Sequence, residues 1–253
     1  MYPVLFRLGS FEITSFGAMV ALGAALGILL LRRELVRSGI DAAKGTDAAL
    51  VGVLGGLAGA KLLYVVEHWA EPLSSTLLSR GGMSWFGGLT GGVLAGLAMI
   101  AWQRLPLTTV LSAAAPALTL GQGIGRIGCF LVGDDYGRAT TLPWGIAFPQ
   151  GLPPTTDTVH PTQLYEAALL FGLTAALIAL RRRGAADRAV FAWYLVTAGA
   201  MRFLIELIRV NEVVFLGLTT AQVFSVAIVV VGAGLLVWRN PETPQAKGRR
   251  SRA

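Results

Sequence analysis

Seven apolar stretches, each long enough to cross a bilayer, dominate the chain and leave little material for anything else. They run over residues 13–31, 47–66, 83–103, 106–132, 161–180, 189–209 and 218–238, separated by short polar connections. About 20 mostly apolar residues in helical form cross the hydrocarbon. The expected fold is therefore an all-α integral membrane bundle of about seven transmembrane helices, with an irregular cap on its outer, periplasmic side. With 54% hydrophobic and 14% charged residues the composition excludes an ordinary soluble domain of this size. One transmembrane domain is expected at 1–238, followed by a basic cytoplasmic tail at 239–253 that should be disordered. Arg7 and Glu12 precede the first stretch, so no cleavable leader is expected.

Basic residues set the expected orientation. The connections 32–46, 103–106 and 181–188, with the tail 239–253, hold 14 Lys and Arg, against only Arg7, Arg80 and Arg138 in the alternate connections. The rich side reads as cytoplasmic, which puts the N-terminus outside and the C-terminus inside. The net charge of +7 then reflects topology and anchoring to anionic membrane lipid, and no nucleic-acid partner is expected. A single cysteine, Cys129, excludes an internal disulfide and a cysteine-rich metal cluster. Gly52/Gly56, Gly55/Gly59, Gly87/Gly91, Gly88/Gly92 and Gly121/Gly125 are each spaced by four, the pattern of closely packed membrane helices. Loop 133–160 is rich in Pro and Gly, and reads as an ordered cover or a flexible lid.

Charges inside the apolar stretches carry the functional information. Counted from the cytoplasmic ends, Lys61, Glu166 and Arg202 each lie roughly 20 Å up their helices. Glu206 and Arg209 are higher, and Arg126 reaches the outer boundary. Arg202, Glu206 and Arg209 fall at i, i+4 and i+7, along one expected helical face. An ionised group at the bilayer centre costs at least about 2.5–3.5 kcal/mol, so several in one depth band mark a hydrated cavity or a ligand path. Four cations (Lys61, Arg126, Arg202, Arg209) against two anions (Glu166, Glu206) leave positive charge that calls for an anion. Phospholipid phosphates are the obvious candidates, since arginine grips them with paired donors. No G-x-S-x-G, P-loop, H-E-x-x-H or C-x-x-C motif occurs, so the usual hydrolase, nucleotide and zinc chemistries lack their parts. His160 heads a helix entrance dense in hydrogen-bonding groups, with Gln163, Tyr165 and Glu166 close behind.

"GQGIGRIGCFLVGDDYGR" at 121–138, "HPTQLYE" at 160–166 and "MRFLIELIR" at 201–209 resemble the bacterial prolipoprotein diacylglyceryl transferase family. "SFGAMV", "GAKLLYVV" and "GGMSWFGGLTGG" extend the resemblance, in the family's order, over nearly the whole chain. The resemblance implies an inner-membrane enzyme that moves the diacylglyceryl group of phosphatidylglycerol onto the lipobox cysteine of a preprolipoprotein signal peptide. It assigns Arg126 and Arg202 as catalytic and lipid-binding, Glu206 and Arg209 as their motif partners, and His160, Gln163, Tyr165 and Glu166 as the second motif. Gly137 is among the retained glycines. The chain differs from the family pattern at Cys129 (usually Asn), Asp134 (usually Glu), Phe86 (often His) and Phe16 (often Tyr). Proton acceptance is expected at His160 or Asp134, with Lys61 as a further lipid contact. No metal or organic cofactor is expected. Two other readings fit the charges: an inactive paralogue binding lipid or precursor, and an anion or lipid transporter.

Overall fold

The computed structural model describes residues 2–8, 11–78 and 82–238. The basic tail expected at 239–253 lies outside the described residues. Among those described, seven helices are long and apolar enough to cross a membrane. They are α1 (Ser15–Arg37), α2 (Ala42–Glu67), α4 (Trp85–Trp102), α5 (Leu107–Val132), α6 (Thr162–Arg182), α7 (Asp187–Glu206) and α8 (Thr220–Val237), with a short α3 (Leu73–Leu78) between α2 and α4. The expected all-α membrane bundle is the observed one.

Helix starts follow local chemistry. The Thr14 hydroxyl accepts from Gly17 N at α1, the Asp41 carboxylate accepts from Ala43 N and Lys44 N at α2, and Thr219 with Gln222 forms a reciprocal capping box at α8. Gly133, at φ 78°, closes α5 by donating to Cys129 O, a left-handed position where any side chain would be strained. Three boundaries differ from the sequence expectation by more than two residues, and one of them is the start of α2, at Ala42 rather than 47. α1 runs six residues past 31, because Leu35 and Glu34 are buried against neighbouring helices and keep the last turns packed. α7 ends at Glu206, three residues short of the expected 209.

The bundle is a chain of neighbouring pairs: α2 on α4, α1 on α5, α5 on α6, α6 and α5 on α7, and α7 on α8. Glycines let two of these pairs touch backbone to backbone. A Cβ on Gly55 would stand 2.9 Å from Gly91 O, and one on Gly91 would stand 3.0 Å from Gly59 Cα. In the α1–α5 pair, a Cβ on Gly23 would meet Gly121 O at 2.8 Å. In lipid, where tails are as apolar as side chains, such close van der Waals packing is the main attraction between helices. The most buried apolar groups line α1, α5, α6 and α7, with Leu31, Leu35, Val110 and Ala113 in one cluster and Ala115, Leu173, Leu177 and Val190 in another.

Three antiparallel hairpins gather at one end of the bundle: β1–β2 (Val4–Leu8, Phe11–Thr14), β3–β4 (Ile146–Phe148, Thr155–Val159) and β5–β6 (Val213–Phe215, Leu218–Thr219). Loop 133–160 bonds to itself and to the end of α5. Leu152 N donates to Gly133 O at 2.9 Å, the Tyr136 hydroxyl donates to Pro153 O at 2.7 Å, and the buried Phe148 ring stacks on Tyr136.

The opposite end is pinned by a buried arginine in the last turn of α6. Arg181 Nε donates to Glu34 Oε2 at 2.8 Å and its Nη2 to Ser38 Oγ at 2.7 Å, while Nη1 reaches Ser112 Oγ. Asp187, 3.5 Å from the same guanidinium, also accepts from Thr109 Oγ1 at 2.7 Å. α1, α5, α6 and α7 are thus tied together at one polar knot, with both members of the Arg181–Glu34 pair buried.

Candidate functional site

At the hairpin end, α5, α6 and α7 bring their terminal turns together. Arg126 lies in the last two turns of α5, Glu166 in the first turns of α6, and Arg202 and Glu206 in the last turns of α7. The segment after α5 crosses among them. There Gly137 N donates to His160 O at 2.9 Å and Arg138 N to Ile208 O at 2.8 Å, with Gly137 paired to Arg209 in an isolated antiparallel bridge. A Cβ on Gly137 would stand 2.7 Å from Ile208 O and 2.8 Å from the Thr162 methyl, so glycine is what allows three segments to meet.

Three guanidiniums and three carboxylates interlock. Arg126 Nε is 2.5 Å from Glu166 Oε2 and its Nη1 is 2.7 Å from Asp135 Oδ2. Arg202 Nη2 is 2.8 Å from Glu206 Oε2, and its Nη1 lies 3.5 Å from Glu166 Oε1. Arg209 Nη2 is 2.5 Å from Asp135 Oδ1, and the same side chain approaches Glu166 at 3.8 Å and Glu206 at 3.7 Å. The second oxygen of Glu206 accepts from Asn211 Nδ2 at 2.6 Å and Thr219 Oγ1 at 2.8 Å. Exposure divides the cluster. The side chains of Glu206, Arg209 and Glu166 are 0%, 7% and 9% exposed, whereas Arg126, Arg202 and Asp135 are 23%, 29% and 41% exposed. Arg202 Nη1 and Arg209 Nε are buried atoms that make no hydrogen bond among the described residues. Each instead faces a carboxylate oxygen at ion-pair distance, Arg202 Nη1 at 3.5 Å from Glu166 Oε1 and Arg209 Nε at 3.7 Å from Glu206 Oε2.

Two sequence expectations are corrected. The cations do not outnumber the anions at the cluster, because Asp135 supplies the third carboxylate. Arg209 is not on the helical face of Arg202 and Glu206: the helix ends first, and a turn through Leu207 and Ile208 swings Arg209 back over the cluster. Lys61 sits on α2, which packs chiefly on α4, and its Nζ donates to Gly82 O at 3.1 Å and lies over the Tyr64 ring. Gly137 packs closely against Ile208, Thr162 and His160. Asp135 was hard to single out because its φ of 61°, left-handed for a non-glycine residue, aims the carboxylate in a direction that no helical or strand pattern encodes.

The remaining candidates surround the cluster. The Gln163 side chain donates to Asp134 O, and the Thr162 hydroxyl donates to Asp135 O at 2.7 Å, so the first turn of α6 holds the acidic turn in place. His160 Nδ1 lies 3.4 Å from the Tyr165 hydroxyl, which accepts from Trp144 Nε1 at 2.7 Å. Cys129 is buried, with Sγ 3.8 Å from Arg126 Nη1, and a Cβ on neighbouring Gly128 would stand 3.4 Å from Phe16 Cα. Phe86 is exposed and packs edge-on against Trp85.

The two aspartates titrate in opposite directions. Burial raises the Asp134 carboxyl above its ordinary value, aided by the charge of Asp135 and only partly offset by the Cys129 thiol and by Arg126 and Arg209. Burial acts the same way on Asp135, but the hydrogen bond and charge of Arg209, joined by those of Arg126, outweigh it and hold the carboxyl below its ordinary value. Cys129, Asp134 and Asp135 offer ligand atoms within 4.8 Å of one another, yet Asp135 is committed to two guanidiniums whose charge repels a metal cation.

A cluster of arginines opening on one side at a membrane boundary suits an anionic headgroup, and comparison with known proteins points the same way. The family model for prolipoprotein diacylglyceryl transferase matches residues 3–238. A phosphatidylglycerol–prolipoprotein diacylglyceryl transferase from Clostridium tetani is 30% identical over 237 residues, covering 92% of this chain and 95% of the relative. The proteins of that name from Geobacter sulfurreducens and Bordetella bronchiseptica are 37% and 36% identical, covering 82% and 93% of this chain and 82% and 94% of their own lengths. The chain belongs to the prolipoprotein diacylglyceryl transferase family.

Proposed function

We propose that this multi-pass membrane protein transfers the diacylglyceryl group of phosphatidylglycerol to the thiol of a lipobox cysteine in a preprolipoprotein signal peptide. The observation that carries the reading is the convergence of Arg126 and Arg202, from separate helices, on the two oxygens of one carboxylate, Glu166, with both guanidiniums still partly exposed. That geometry presents two cations to one phosphate. In the transfer, the cysteine sulfur attacks the terminal glyceryl carbon of the diacylglyceryl group. The C–S bond forms, the C–O bond to phosphate breaks, and glycerol phosphate leaves with the bonding pair. Arg126 and Arg202 hold the phosphate and stabilise the charge that develops as it departs, while Glu166 and Glu206 fix the two guanidiniums. The thiol, ordinarily near pKa 8.5, yields its proton to Asp134, whose carboxyl burial makes more basic, or to His160 at the edge of the site. Gln163 and Tyr165 shape the entrance through their bonds to the acidic turn and to Trp144.

The hairpin end faces the outer side of the bacterial inner membrane in this reading, with the N-terminus outside and the C-terminal end in the cytoplasm, as the basic connections indicate. Purified protein incubated with phosphatidylglycerol and a lipobox peptide should give a thioether-linked diacylglyceryl peptide by mass spectrometry, and Arg126→Gln should abolish it with the fold intact. Lipid binding without product would instead indicate an inactive paralogue, and solute flux in liposomes a transporter.

A further inference from the structure

Asp135 occupies the place where the lipid phosphate is needed. Its two carboxylate oxygens bridge two guanidiniums, Oδ2 to Arg126 at 2.7 Å and Oδ1 to Arg209 at 2.5 Å, as two oxygens of a phosphodiester could. Its backbone is also fixed apart from that carboxylate, since Asp135 O accepts from the Thr162 hydroxyl at 2.7 Å. The side chain can therefore swing away while the turn stays in place. Of the three carboxylates it is also the one open to the outside, at 41% side-chain exposure against 9% for Glu166 and 0% for Glu206.

Charge balance supports an exchange. With Asp135 engaged, Arg126 and Arg209 each have a close carboxylate, and an arriving headgroup gains little. With the exposed carboxylate swung toward solvent, Arg126 and Arg209 lose one shared anion, the vacancy that a singly charged phosphodiester matches. Arg126 Nη1 becomes available, while Arg202 Nη1 keeps only its 3.5 Å approach to Glu166 Oε1. We propose that Asp135 is a specificity-determining placeholder: an internal carboxylate that keeps the arginines paired between turnovers and gives way only to an anionic phosphodiester headgroup. The proposal rests on phosphatidylglycerol being the lipid substrate. It assigns Asp135 no contact with the reacting carbon.

The test is binding of dihexanoyl-phosphatidylglycerol to the full chain in uncharged detergent, for the wild type, Asp135→Asn and Asp135→Gly, with dihexanoylglycerol as a lipid lacking phosphate. Asparagine and glycine both accept a left-handed backbone, so neither change strains the turn. Removing the competitor should tighten phosphatidylglycerol binding by roughly three- to fivefold, the scale of a partly exposed ion pair, and leave dihexanoylglycerol unchanged. Unchanged or weaker phosphatidylglycerol binding in both variants, equal tightening of both lipids, or loss of the folded state in both would overturn the exchange. A wild type that binds phosphatidylglycerol but forms no thioether would sink the transferase reading instead, and the binding comparison among the variants would still decide the role of Asp135.

Discussion

Arg126 Nε lies 2.5 Å from Glu166 Oε2, while the other oxygen of the same carboxylate faces Arg202 at 3.5 Å. One buried acid from α6 thus sets the spacing of two cations from α5 and α7. Glu166→Gln preserves shape and one acceptor but removes the charge that draws the guanidiniums together. A displacement of about 1 Å at a reacting centre costs on the order of a hundredfold, and a loss of that size in kcat/KM is expected for Glu166→Gln in the lipobox peptide assay. A rate near that of the wild type would show that the arginines keep their places without it.

Arg126 uses the planar fork of its guanidinium, with Nε on Glu166 and Nη1 on Asp135. Lysine keeps the charge but presents one ammonium, which cannot span both carboxylates and a phosphate. Arg126→Lys should therefore lose about two orders of magnitude in kcat, the scale of removing one preorganised donor from a developing charge. Retention of more than about a tenth of the activity would mean that charge alone suffices.

The knot at the opposite end offers a stability test remote from the chemistry. Arg181 and Glu34 are 8% and 2% exposed, so removing one member strands a buried charge. Arg181→Met should destabilise the protein by about 3–5 kcal/mol in detergent unfolding, and the double variant with Glu34→Leu should recover most of that loss. No recovery in the double variant would place the stabilisation in the serine hydrogen bonds rather than in the ion pair.

Where α2 meets α4, a Cβ on Gly91 would stand 3.0 Å from Gly59 Cα, a backbone atom that cannot move aside alone. Gly91→Ala is expected to cost about 1–3 kcal/mol by overpacking, measured as a lowered unfolding midpoint, whereas Gly184→Ser, in a connection with open space around it, tests strain at its φ of 77° instead. An unchanged midpoint for Gly91→Ala would show that the two helices part readily.

Asp135 also predicts an acid limb. Its carboxyl is held below the ordinary value in the folded state, so its contribution to stability is present above the ordinary carboxylate pKa and is lost as pH falls through the lowered folded value. The drop in unfolding temperature on acidification should be smaller in Asp135→Asn than in the wild type. Identical slopes would show that Asp135 contributes no stability through its pairing with Arg126 and Arg209.

How much of this was legible in the chain depends on the range of the interaction. Seven spans, their approximate ends and the abundance of close glycine contacts follow from local pattern, because lipid forces each crossing segment to satisfy its own backbone and because four-residue spacing places small residues on one face. Arg126, Glu166, Arg202 and Glu206 stood out for the same reason: ionised groups are expensive in apolar runs, whatever they later contact. The roles of Asp135 and Arg181 depended on other information. Asp135 lies in a turn whose left-handed backbone points its carboxylate at residues 9 and 74 positions away, and Arg181 finds Glu34 across 147 positions. Periodicity reports only which way a side chain leaves its own helix. The partner it meets is decided when separate helices pack, and that packing made three arginines a cluster with one exposed carboxylate.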